Sequence, residues 1–411
     1  LATLSDTDDT NVTGAELVTN GTFASNTTGW TDYTSSYMTL SHASGVARLT
    51  HANNWSGWYG IGQDITTVVG KTYVASYDVT ESDSGNMQGS HFYLGDSTVL
   101  YGTSGSFEKS GTITGTFVAT STTTNIRTGH GGVGVGSGDY YTIDNFTVRL
   151  AEEDRSVNGN GLQVFGTVTK TAVATGADLV GYSGFSASNY LQQPYNSDLD
   201  FGTGDFCIMG WFNSSTVSRD YILHRYSASH FVFVRLNSST GTIQMSVNSG
   251  GGSVANSSNL TGGAWHNFTA LRRNGFLELY VDGISAATSV ADTTDLTDTD
   301  AVLRVGNDSA GTRQFNNGSL ALIRISATAP SPEQIAKIYN DEKHLFQDGA
   351  QATLYGSSDA VTALAYDDTT DLLHVGTSAG RSVFQGLRRV DNTTDAVGAA
   401  ISASNGLVAE D

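Results

Sequence analysis

The chain has 411 residues with 20 Lys+Arg against 40 Asp+Glu, a net charge of −20, and 48 glycines against 3 prolines. So acidic a surface repels phosphate backbones and excludes general nucleic-acid binding. The 38% hydrophobic and 10% aromatic content is too high for a disordered chain and supplies several cores. No apolar run reaches the roughly 20 residues of a membrane span, so no membrane insertion is expected, and no signal peptide is visible. The first residue is Leu1, which reads as a processed or incomplete chain. A lone cysteine, Cys207 in FCIMGWF, cannot close an intrachain disulfide and reads as a small core residue. The lack of disulfides favours assembly in a reducing cytoplasm.

Residues 1–14, LATLSDTDDTNVTG, are polar and acidic without a period and read as a leading linker. Residues 15–150 carry short alternating runs at 72–79, 90–95, 111–119 and 140–150, separated by Gly/Ser/Asn clusters. That period of two is the mark of strands with one buried face, and a two-sheet sandwich is expected. The glycine-rich GHGGVGVGSG at 129–138 leads into a strand rather than a helix, so it reads as a loop or hairpin and not a phosphate cradle. A charged Gly/Asn-rich junction follows at 151–160.

A second domain, 151–346, has its clearest strands at 206–212, 230–236, 242–247, 265–273, 276–283 and 320–326. Trp265, Phe268, Leu279 and Val281 are expected to fill the space between its sheets. Asn274-Gly275 predicts a tight hairpin turn, and Asp282-Gly283 a turn out of the next strand. One helix is predicted over 331–346: Ser331 caps it, Pro332 suits its first turn, Gln334 completes a capping box, and Ile335, Ile338 and Tyr339 share the packing face. Residues 347–411 are β-rich, with strands and turns over 361–387 and no second copy evident. A lone sheet of this kind cannot bury both its faces, so the region is expected to pack against other subunits, as an oligomerisation region, or to continue beyond the fragment. The fold class is thus all-β: two tandem antiparallel sandwiches of jelly-roll type, then one helix and a small β-rich region.

The signatures of catalysis are missing: there is no HExxH, GxSxG or P-loop. The acidic run at 291–301, with Asp292, Asp295, Asp298 and Asp300, lies in a polar segment and reads as a solvated loop rather than a glycosidase pair. The nine histidines have no metal spacing, and His224 and His230 read as surface side chains. Sugar recognition needs aromatic platforms beside hydrogen-bonding groups. HANNWSGWYGIGQD offers these in Trp55, Trp58, Tyr59, Asn54 and Gln63, with Tyr190 and Tyr195 as rim candidates in the second domain.

The segments ASNYLQQPYNSDLDFGTGDFCIMGWF, GGAWHNFTALRRNGFLELYVDGISAA, LRVGND and FNNGSLALIRISATAPSPEQIAKIYNDE, over about 181–342, resemble laminin-G/concanavalin-like jelly-roll domains. ELVTNGTFASNTTGW with DYYTIDNFTVRL makes residues 15–150 similar to carbohydrate-binding modules found beside glycoside hydrolases. That resemblance implies a structural Ca2+ between the two ends, with Glu16, Asn20 and Asp144 as ligands. VTALAYDDTTDLLHVGTSAGRSVFQGL resembles a β-propeller blade. Together with LSDTDDTNVTG, the closing run resembles marine bacteriophage virion proteins of the tail-fibre type. The resemblance implies a non-enzymatic virion subunit on the particle surface. It would form a homo-oligomer, a trimer by family likeness, contact other virion proteins, and present lectin-like domains to host surface polysaccharide. Three alternatives remain: a capsid or tail decoration, an extracellular filament subunit, or an accessory module of a secreted glycoside hydrolase.

Overall fold

The computed structural model describes the chain except for residues 1, 5–6, 34–36, 53–54, 82–86, 95–97, 101–110, 217, 219, 249–251, 257, 299 and 359. For 2–4, 55–59, 81, 87–91, 93, 98–100 and 129–135 it gives the backbone alone.

The first sandwich packs two antiparallel sheets. One runs Met38–Ala43, Val46–His51, Tyr140–Glu152, Thr72–Glu81, Gly111–Val118. The other runs Thr31–Asp32, Ile61–Thr66, Thr123–Val135, Met87–Leu94, Thr98–Leu100, with Trp55–Tyr59 also on Thr123–Val135. The run 129–138, expected as a loop or hairpin, is strand through Val135. Its neighbours supply ladder partners on both sides, which outweighs the poor strand propensity of glycine. Between the sheets the opening and closing motifs meet: Trp30 lies 5.2 Å from Phe23 and 4.8 Å from Phe146, ring to ring. Phe146 in turn stacks on Tyr77 at 5.4 Å, so this signature is a core signature.

The second sandwich opposes two larger sheets. The end of Leu162–Ala172, then Val180–Ser183, Gly318–Ser326, Phe206–Ser214, Trp265–Arg273 and Phe276–Val281 form one. The start of Leu162–Ala172, then Tyr190–Gln193, Val302–Val305, Tyr221–Tyr226, Phe231–Leu236, Ile243–Val247 and Ser253–Ala255 form the other. Phe206, Phe212, Phe268, Leu279 and Phe315 fill the interior, each fully buried. Trp265 does not join them: three residues from Phe268 on one strand, it takes the opposite face. There its indole N–H donates to the Val173 carbonyl and its ring meets Phe346 at 4.9 Å. Both tight turns form as predicted, with Asn274 at φ 51° and Asp282 at φ 51°, each followed by a glycine at φ 77°.

The helix spans Pro332–Glu342 and tightens into a single turn over Lys343–Phe346. Its capping box is complete, Ser331 Oγ accepting from Gln334 N–H and Gln334 Oε1 from Ser331 N–H. Ile335 and Ile338 cover Cys207, Met209, Leu271 and Tyr280 on the outer face of a sheet.

Residues 1–14 are not a linker. Ala2–Leu4 pairs with Ile323–Ile325, and Val12–Gly14 with Gly166–Val168. Edge pairing is made by main-chain groups, so a polar segment without apolar period still joins a sheet. The last region is a four-stranded antiparallel meander of Val361–Asp367, Leu372–Thr377, Gly380–Gln385 and Arg388–Thr393, with a hairpin of Ile401–Ser404 and Leu407–Glu410 against it.

Candidate functional site

Gln63, expected to meet a ligand, is buried. Its Oε1 accepts from Thr19 N–H and its Nε2 donates to the carbonyls of Thr19 and Gly29. It therefore pins the 19–30 loop. The strand alternation that turns Gln63 inward turns its neighbours outward. Ile65 and Ile126 are core, so Asp64, Asn125 and Arg127 share the outer face of the six-stranded sheet.

A compact cluster forms there. Asn125 Nδ2 donates to Tyr33 Oη at 2.8 Å and to Asp64 Oδ1 at 2.5 Å. Arg127 Nε donates to Asn125 Oδ1, and its guanidinium sits 3.5 Å from the Tyr33 ring centroid. The layer exists because position 62 has no side chain. A Cβ on Gly62 would lie 2.6 Å from Arg127 Cγ and 2.9 Å from Tyr33 Cε2. Tyr33 remains 38% exposed. A ring, a carboxylate, an amide and a guanidinium on one face supply stacking surface together with donors and acceptors at fixed spacing. Trp55–Tyr59 pairs with the same strand that carries Asn125 and Arg127. The side chains of Trp55, Trp58 and Tyr59 lie outside the described residues, as does Asn54. Sequence reasoning missed Tyr33, Asp64, Asn125 and Arg127; the alternation around buried Ile126 was the available signal.

The second sandwich carries rings on its outer face too. Tyr190 stacks on Phe165 at 4.5 Å, and the Arg304 guanidinium lies 4.6 Å from its centroid. Its strand lies between those of Phe165 and Arg304, so both ring faces are taken. Tyr195 is not on this face: its hydroxyl donates to Asp200 Oδ2 and its carbonyl accepts from Thr114 of the first sandwich. Tyr221, His224 and Phe233 pack together and are nearly buried, leaving Tyr226 the exposed ring of the group. His224 is therefore no surface histidine. Its Nδ1 accepts from Ser309 N–H, and burial, with the cations Arg304 and Arg235, pulls its pKa down to about 4.

The three residues expected around calcium each make local contacts. Glu16 Oε1 accepts from the amides of Val18 and Val148, and its Oε2 faces Arg149 Nε at 3.3 Å. Burial still pushes its carboxyl above the usual range. Asn20 turns its Nδ2 toward the carbonyls of Asn26 and Thr28. Asp144 accepts from Asn145 N–H and stands opposite Asp78, its pKa raised by burial and by that neighbour. A calcium shell needs about six to eight oxygens. Among the described residues no group of three His, Cys, Asp or Glu is placed to hold a metal.

The acidic run is not a solvated loop throughout. Asp292 is buried, ion-paired at 3.1 Å with the fully buried Arg272. Burial opposes its charge, but hydrogen bonds from Gly252, Thr294 and Arg272 outweigh that and hold its pKa low. Asp298 accepts from Ser227 and pairs with His230 at 2.8 Å. Both acids are spent on local structure rather than facing each other across a cleft.

Residues 185–336 match the family model described as the concanavalin A-like lectin/glucanases superfamily. No curated protein matches the chain. Among solved structures, the binding domain of Paraclostridial Mosquitocidal Protein 1 shares 13% identity over 56% of this chain and 62% of its own, with a TM-score of 0.38. Domain 4 of a GH43 extracellular arabinanase from Geobacillus stearothermophilus, solved with arabinotriose, shares 14% over 46% and 92%, TM-score 0.36. A CBM4 structure shares 17% over 32% and 99%, TM-score 0.25. The chain thus spans under two thirds of the toxin binding domain. No described helix is long and apolar enough to cross a membrane.

Proposed function

We propose that this chain is a glycan-binding adhesion subunit of a virus particle, and that its first sandwich holds sugar on the outer face of the six-stranded sheet. The observation that carries the reading is the Tyr33–Arg127–Asn125–Asp64 cluster. A pyranose ring places its apolar C–H face on an aromatic side chain, while planar guanidinium and carboxylate groups match pairs of adjacent hydroxyls. The −20 net charge favours a neutral or metal-bridged polysaccharide over a polyanionic one. The second sandwich, matched to a lectin-type family over 185–336, serves as the rigid arm or a second contact. The virion setting, the trimer and the contacts with other virion proteins rest on the sequence likeness of the two terminal segments to phage fibre proteins.

A glycan array with the intact chain tests the site. Tyr33→Ala is expected to weaken binding by about tenfold or more, since base or ring stacking on one aromatic is worth about 1–3 kcal/mol. Melting should fall only slightly, because Tyr33 lies partly exposed on the outer face of the sheet and outside its core. A wild-type chain that binds no polysaccharide, or binding that survives Tyr33→Ala, Asn125→Ala and Trp58→Ala alike, would sink the reading.

A further inference from the structure

In the second sandwich, the sheet that runs from Tyr190–Gln193 to Ser253–Ala255 carries an unspent hydrogen-bond donor on its outer face. Strand alternation sets which side chains stand there. Leu223, Val232, Val234, Leu303 and Val305 are core, so His224, Tyr226, Phe231, Phe233, Arg235 and Arg304 turn outward. The register puts His224 between Arg304 and Phe233, and Tyr226 beside Phe231. His224 Nδ1 accepts from Ser309 N–H, so the proton of the neutral ring sits on Nε2. Among the described residues nothing accepts from that Nε2, although His224 is only 7% exposed. A donor this deep is costly unless water or a ligand supplies the acceptor.

The surroundings say what kind of acceptor suits it. The rings of Tyr226, Phe231 and Phe233 lie 5.3, 6.3 and 6.2 Å from the imidazole, and Phe231 stacks on Phe233 at 5.7 Å. Tyr226 is 39% exposed and Phe231 half-buried, so ring surface is open beside the donor. The nearby cations are engaged: Arg235 with Gln244 and Tyr221, Arg304 with Gln192 and the carbonyls of Asp308 and Ser309. Burial, with Arg304 and Arg235 and against Asp308, keeps the imidazole neutral well below pH 7. A carboxylate would give up its water for a site that suppresses the charged partner it needs. An acetamido group gives up less: its oxygen is a neutral acceptor and its methyl is apolar.

We infer that this face is a second sugar site selecting an N-acetylated hexosamine, whose amide oxygen accepts from His224 Nε2 while its methyl and pyranose ring rest on Phe231 and Tyr226. The inference rests on the glycan-binding reading for its ligand class, but it uses the other sandwich and none of the Tyr33 cluster.

Titration calorimetry of the intact Tyr33→Ala chain with tri-N-acetylchitotriose, cellotriose and the corresponding glucuronate trimer isolates this face. The N-acetylated trimer is expected to bind at least about tenfold more tightly than either of the others, since each leaves the donor or the methyl surface unmatched. Its affinity should be flat between pH 8 and pH 5.5, where His224 stays neutral. Added to that chain, Tyr226→Ala and His224→Leu should each weaken binding about tenfold or more. His224→Gln, which keeps an N–H at the same reach, should recover most of it. Should His224→Leu fail to fold, Tyr226→Ala, at an exposed ring, carries the same test. The inference is overturned by no binding of the N-acetylated trimer, by equal binding of cellotriose, by a preference for the glucuronate trimer that grows as pH falls, or by indifference to both substitutions. A wild type that binds polysaccharide through Tyr33, with no trimer bound once Tyr33 is replaced, overturns this site and leaves the adhesion reading standing.

Discussion

Two buried titrating groups set how this molecule responds to acid. His224 is held neutral under Ser309 with its pKa pulled down to about 4. An unfolded histidine titrates near 6.5. Between those values the unfolded chain binds more protons than the folded one, so stability falls as pH drops through that window and is unaffected above it. The loss amounts to roughly 3 kcal/mol in the second sandwich by the linkage relation. Denaturant unfolding at pH 7 and pH 4.5 checks it: His224→Gln should flatten the difference, and an equal pH slope in that variant rules the cause out. The Arg272–Asp292 pair acts at lower pH, since a depressed carboxyl contributes above its unfolded value and its share is lost only as pH falls below about 4. Arg272→Leu leaves the buried Asp292 charge without its cation and is expected to cost about 3–5 kcal/mol, read as a shift in denaturant midpoint. Neither group was legible in the sequence. A histidine among aromatics and an aspartate in a polar run look solvated until the distant strands and Gly252 are brought to them. Cys207 was legible, as an apolar neighbour in FCIMGWF: it is buried, and its thiol is pushed up to about 12 by burial. Its reaction with a thiol reagent at neutral pH should therefore wait on unfolding.

Local patterns carried the elements whose chemistry is local. The hairpin at Asn274-Gly275 and the helix beginning after Ser331 both needed only adjacent residues, a positive-φ turn and a reciprocal cap. Ser331→Ala removes that cap and should destabilise the helix by about 1 kcal/mol. The far end of the helix is tied differently. Glu342 accepts from the Trp211 indole at 2.7 Å and pairs with Arg324 at 2.6 Å while nearly buried. Glu342→Leu should therefore cost more than the cap, roughly 2–3 kcal/mol, because the indole N–H and part of Arg324 lose their acceptor. Thermal melting of the two variants ranks them; a larger loss at Ser331 contradicts the placement. What the sequence could not show were elements made by partners far along the chain. Residues 1–14 join a sheet through main-chain groups that any sequence possesses. The proposed site on the first sandwich was half legible. The aromatic run lies on a strand that pairs with the one carrying Asn125 and Arg127, while those two residues stood just before a segment read for its glycines.

At the scale of the whole molecule, one strand governs how the two sandwiches relate. Tyr140–Glu152 pairs with Val46–His51 and Thr72–Glu81 in the first, then with Gln163 and Leu162 at the start of the second. Buried polar contacts lock that crossing. Gln163 Nε2 donates to the Val74 carbonyl and to Thr147 Oγ1. Lys170 and Glu152, both nearly buried, lie 3.5 Å apart, with Tyr182 Oη donating to the same carboxylate at 2.8 Å. A hinge here would have to break these buried contacts, so the sandwiches are expected to move as one body and to melt together. Calorimetry of the intact chain should show one transition for both, with a calorimetric enthalpy equal to the van't Hoff value. Glu152→Ala removes the carboxylate that Lys170 and Tyr182 share and should lower the stability of both sandwiches by about 3 kcal/mol, not of the second alone. Two resolved transitions, or a substitution felt on one side only, would mean that the shared strand joins the domains without coupling them. In the proposed adhesion role, such coupling would pass load from the first sandwich through Tyr140–Glu152 into the second rather than bending a linker.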